Sequence, residues 1–89
     1  MATFKIRLET VGSVTATDAD ISSTVEIVHA AGGADVSVFQ NDERGRAEFA
    51  LEAHTRGQAA GAVYAVLVAL TEATPLLVGG WVLVSISAT

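Results

Sequence analysis

Phe4, Ile6 and Leu8 alternate with Lys5, Arg7 and Glu9. A two-residue period gives an extended segment one apolar and one charged face, so the chain opens with a half-buried strand. The small, polar stretch 12–17 reads as a loop. Thr17, Asp18 and Asp20 then offer a cap and negative charge to a helix N-terminus. Ile21, Val25 and Val28 recur at helical spacing, with Thr24 and Ala31 beside them. Gly32 and Gly33 end that helix, because glycine tolerates the left-handed conformation of a C-terminal cap.

Val36 and Val38 alternate with Asp35, Ser37 and Phe39 in a second strand, and residues 41–45 form a polar turn with a glycine near its end. Ala47, Phe49, Leu51 and Ala53 alternate with Arg46, Glu48, Ala50 and Glu52 in a third strand. Thr55 and Gln58 have the spacing of a capping box, Ala59 onward continues as a second helix, and Pro75 stops it. After Gly79-Gly80, Trp81–Ser87 forms a last strand with Val82, Val84 and Ile86 on one face. Residues 76–78 fit either that strand or a loop.

The order strand, helix, strand, strand, helix, strand predicts one α+β domain over residues 1–89. Two right-handed crossovers joined by a hairpin make a ferredoxin-like βαββαβ two-layer sandwich, antiparallel order 4-1-3-2, with both helices on one face. Phe4, Ile6, Leu8, Val36, Val38, Phe49, Leu51, Val82, Val84 and Ile86 should then face Ile21, Val25, Val28, Val63, Val66, Leu67 and Leu70.

Composition adds a constraint. Apolar residues make up 51% of the 89 and charged residues 17%, more apolar surface than one thin core hides. Oligomerisation is the expected remedy. The net charge of −5 repels phosphate backbones and anionic lipid, so neither nucleic acid nor membrane is expected as a partner. The apolar run Ala59–Leu70 is too short to span a bilayer, which takes about 20 residues. The opening strand pattern is not a signal peptide, and the expected location is the cytoplasm. With no cysteine, thiolate metal sites and cysteine nucleophiles are excluded. No cofactor is expected, since neither a G-x-G-x-x-G nor a phosphate-loop pattern is present.

Candidate chemistry is sparse. His29 falls in the last turn of the first helix, where a positive charge suits the dipole. His54 follows the third strand and by alternation shares a face with Glu52 and Glu48. A histidine oriented by a carboxylate can act as a base or bind a metal, but no third ligand is spaced to complete a metal site. His54 with Glu52 is the weak catalytic candidate. On the charged sheet face Glu9 should meet Arg46 and Arg7 should meet Glu48, a ladder that needs no ligand. The third strand offers no aromatic residue on that face for stacking RNA bases.

The second helix is the informative segment. Its core face is Ala59, Val63, Val66, Leu67 and Leu70; its back carries Gly57, Gly61, Tyr64, Ala65 and Val68. An outer helix normally has a polar back. Gly61, Tyr64, Ala65 and Val68 are therefore candidate interface residues, joined by Trp81 and Leu83 if those two face the open side of the sheet. The expectation is a non-enzymatic assembly or interaction module that homo-oligomerises. The alternatives are a small-molecule-binding regulatory domain with a pocket between the 12–17 loop and a partner subunit, a partner-specific adaptor, and a cofactor-free dimeric enzyme using His54.

Overall fold

The computed structural model describes residues 2–13, 15, 17–41, 43–73 and 80–89. The expected helix stop at Pro75 and the assignment of residues 76–78 fall outside them. The elements are β1 (Ala2–Thr10), α1 (Asp18–Ala30), β2 (Ala34–Asn41), β3 (Arg44–Ala53), α2 (Arg56–Ala73) and β4 (Trp81–Ala88). All neighbouring strands are antiparallel in the order β2-β3-β1-β4, which is the expected order read from the other edge. The two helices touch each other and cover one face of the sheet. The result is a two-layer α+β sandwich.

Both helix starts follow from local chemistry. The Thr17 hydroxyl accepts from the Asp20 backbone N–H at 3.2 Å, and the Asp20 carboxylate accepts from the Thr17 N–H at 2.9 Å. These two bonds satisfy donors that a helix start leaves free. At α2 the Thr55 hydroxyl accepts from the Gln58 N–H, while the Gln58 side chain accepts from His54, one residue before the cap. At the end of α1, Gly32 donates to His29 and Gly33 to Val28. This is the paired-bond glycine cap, with Gly32 at φ 107. Gly33 is glycine for a different, steric reason: an added Cβ would lie 2.8 Å from Val28 Cγ1 and 3.1 Å from Phe49 Cδ2.

The core is Phe4, Ile6 and Leu8 from β1, Ala47, Phe49, Leu51 and Ala53 from β3, Val28 from α1, and Ala59, Val63, Val66 and Leu70 from α2. Val36, Val38, Leu67 and Ile86 are partly buried against it. α1 is rotated from the expected setting. Thr24 and Val28 are buried, whereas Ile21 and Val25 are half-buried; Thr24 is accommodated because its hydroxyl bonds the Asp20 carbonyl at 2.8 Å.

The expected facing of β4 is corrected. Ile86 pairs with Ile6 and Ser85 with Arg7, but Leu83 pairs with Leu8 and Trp81 with Thr10. Val84 is an extra residue, a β-bulge, and it reverses the alternation beyond it. Trp81 and Leu83 therefore lie on the helix side, with Trp81 packed against the core. Val82 faces the open side across from Glu9, and Val82 and Val84 are 45% and 50% exposed.

Candidate interaction surface

The open sheet face is built from the residues opposite the core set. The register sets Arg7 against Glu48 and Glu9 against Arg46, as the alternation predicts. Each carboxylate is shared by two cations. Glu48 lies 3.8 Å from the Lys5 ammonium and 3.7 Å from Arg7; Glu9 lies 3.1 Å from Arg44 and 3.2 Å from Arg46. Each such group carries one excess positive charge. Glu52, across from Thr3, and Asp35 lie on the same face and offset that charge.

Two adjoining basins lie at the lower end of this face, of about 370 and 440 Å³, sharing Thr3, Asp35 and Ala50. They exist because Ala50 is small and because β2 bulges between Ala34 and Ser37, with Asp35 at φ 50. Neither basin includes His54. His54 is exposed beyond the end of β3, and Glu52 beside it is exposed as well. Among the described residues no group of three His, Asp or Glu side chains is placed to hold a metal ion.

Both edge strands carry an irregularity that hinders adding another strand. Each edge strand carries a bulge, one at Val84 in β4 and one next to Asp35 in β2. Arg56 also donates to the Ile86 carbonyl on the β4 edge. Bulges and edge cations are the usual devices that stop sheets joining edge to edge.

The outer face of α2 remains. Gly61, Tyr64, Ala65 and Val68 are all exposed, as expected; Tyr64 is 69% and Val68 38% exposed. A Cβ added at Gly61 would meet nothing within 4 Å, so packing inside the chain does not require glycine there. Tyr64, Leu67, Val68, Thr71 and Glu72 line a shallow, mainly apolar groove of about 250 Å³. Trp81 and Leu83 do not form the expected exposed pair on the open face: both lie on the helix side of the sheet, where Trp81 packs against the core and Leu83 is 39% exposed.

Two features were missed in the sequence. One is Thr10, which is 1% exposed. Its hydroxyl donates to the Gly12 carbonyl and accepts from the Gly45 N–H, tying β1 to the β2–β3 hairpin; only its place in the apolar alternation of β1 hinted at this. The other is Phe39, 38% exposed and opposite Arg46 on the open face. Among the described residues no helix is long and apolar enough to cross a membrane. Comparisons with family models, with curated proteins and with solved structures gave no match to this chain.

Proposed function

We propose that this chain is a small non-enzymatic assembly module whose copies associate through the outer face of α2. The observation that carries the reading is Tyr64, more than two-thirds exposed at the middle of a helix face that also bears Gly61, Ala65 and Val68. A solitary domain gains nothing from presenting this surface to water, and burying an aromatic or Val side chain stabilises by about 1.5–3 kcal/mol. The bulged edge strands favour the same surface by hindering edge-to-edge pairing. We also assign the sandwich to the ferredoxin-like class on its element order and strand order.

The test is solution mass by light scattering for the wild type, Gly61→Leu and Ala65→Glu. Neither side chain points into the core, so both variants should fold. The reading expects an oligomer that each variant weakens while its melting transition stays cooperative. A wild type that is monomeric at every concentration rejects it in favour of an adaptor for a different protein.

A further inference from the structure

The two basins at the lower end of the open face meet at Thr3, Asp35 and Ala50. Ala50 is the one short side chain among the outward positions Arg46, Glu48, Ala50 and Glu52 of β3, so a hollow opens between Glu48 and Glu52. The register sets Lys5 across from Ala50 and Thr3 across from Glu52. On the other flank Ala34 lies across from Ala50, and the bulge that follows it brings Asp35 into the wall of both basins. Among the described residues Asp35 is the one non-glycine residue with a positive φ, at 50. Aspartate is one of the few side chains that tolerate this conformation.

The basins differ in charge. Lys5 lines the first, of about 370 Å³. Its ammonium lies 3.8 Å from Glu48, which Arg7 also reaches at 3.7 Å, so this group keeps one excess positive charge. The second basin, of about 440 Å³, has the carboxylates of Asp35 and Glu52 in its wall and no cation among its lining residues. Among the described residues neither carboxylate forms an ion pair. α1 ends beside this basin, with Gly32 in the wall, and a helix C-terminus carries partial negative charge. Lys5 and Glu52 are diagonal neighbours on β1 and β3, about 7–8 Å apart at the backbone. One hollow therefore holds a positive and a negative pole.

We infer that the joined basins bind a small zwitterion bearing an ammonium and a carboxylate. Its ammonium sits between Asp35 and Glu52, and its carboxylate meets Lys5. The Ser37 hydroxyl, in the first basin, can donate to that carboxylate. A plain cation would meet the Lys5 ammonium, and a plain anion would meet two carboxylates, so the pair of poles selects a molecule that carries both charges. Each basin has the size of a small-molecule site, about 300–1,000 Å³. Both are open and their charges are exposed to water, so binding is weak, with a dissociation constant of about 1 mM or above. The site lies on the sheet face away from the helices and does not depend on self-association.

The test is a titration of the full chain, followed by the NMR shifts of its amides at low salt, where exposed charges are least screened. The probes are γ-aminobutyrate and its two singly charged analogues, butylamine and butyrate. The inference expects γ-aminobutyrate to shift the amides of Thr3, Lys5, Asp35, Ala50 and Glu52 saturably and to bind more tightly than either analogue. Asp35→Asn keeps a side chain that tolerates the left-handed backbone and removes the charge; Lys5→Gln removes the opposite pole. Each should weaken γ-aminobutyrate binding about two- to fivefold, as loss of an exposed ion pair does. Lys5→Gln should also abolish the preference over butylamine. Ala50→Leu fills the hollow and should abolish binding; if that variant does not fold, the two charge variants carry the test. Absence of saturable shifts at these amides up to roughly 50 mM overturns the inference. So does butylamine or butyrate binding the wild type as tightly as γ-aminobutyrate, or unchanged affinity in both charge variants.

Discussion

Leu83 lies directly opposite Leu8, although the plain alternation of β4 assigns Leu83 to the other face of the sheet. The single unpaired residue next to it, Val84, moves Trp81 and Leu83 to the helix side and leaves Val82 outside. The pair also shows how unevenly burial is shared, because Leu8 is fully buried and Leu83 is 39% exposed.

That difference sets the first prediction. Leu8→Ala removes a buried side chain from the centre of the core and should cost about 2–5 kcal/mol. Leu83→Ala should cost under about 1 kcal/mol, since much of its side chain is already in water. Chemical denaturation of both variants checks the ranking, and equal losses would contradict the observed register.

Trp81 is the only tryptophan and packs against the core. Its fluorescence should be shifted to shorter wavelength in the folded protein, shielded from acrylamide, and shifted to longer wavelength on unfolding. Emission like that of free tryptophan in the native state would put Trp81 on the open face after all.

Three glycines should respond differently to alanine. Gly33→Ala forces a Cβ against Val28 and Phe49 and should cost about 1–3 kcal/mol, as overpacked cores do. Gly32→Ala places a side chain at φ 107 and should cost about 1–2 kcal/mol. Gly61→Ala meets open space within a helix and should stabilise the monomer by up to about 1 kcal/mol. Thermal melts at low concentration, where association does not contribute, separate the three.

The α1 cap predicts a pH response. Hydrogen bonds to the Asp20 carboxylate, first from the Thr17 backbone and then from its side chain, hold its pKa below the ordinary 3.8. A depressed pKa means stabilisation that is present above the ordinary value and lost as pH falls through the lowered one. Asp20→Asn should therefore flatten the loss of stability below pH 3.8, measured by urea unfolding at a series of pH values. An unchanged acid limb would show that the cap contributes nothing through ionisation.

The element order, the strand order and the charge pairs of β1 with β3 were legible in the sequence because period-two alternation runs from Phe4 to Glu9 without a break and from Arg46 to Ala53 with Ala50 as its one exception. Thr17 and Gln58 announced the helix starts because capping depends on spacing alone. The facing of β4 was not legible. Trp81 through Val84 are all apolar, so no polar residue marks which side is outside, and a bulge leaves no trace in such a run. The setting of α1 was obscured because Ile21 and Val25 outrank Thr24 in hydrophobicity, while the bond from Thr24 to the Asp20 carbonyl shows only in the fold. The exposed face of α2 could be read early, because Tyr64 and Val68 stand opposite an unmistakable core stripe of Val63, Val66 and Leu70.

Sedimentation velocity of the wild type beside Tyr64→Glu tests the central claim most directly, at concentrations from roughly 10 μM to 1 mM, the range in which a small interface dissociates. Tyr64 is exposed, so the variant should keep its fold and melting behaviour while an unpaired charge in the contact blocks association. The account predicts that the wild type sediments faster as concentration rises and that Tyr64→Glu stays at the monomer value throughout. Coincident curves for the two proteins, whether both monomeric or both associating, would contradict it.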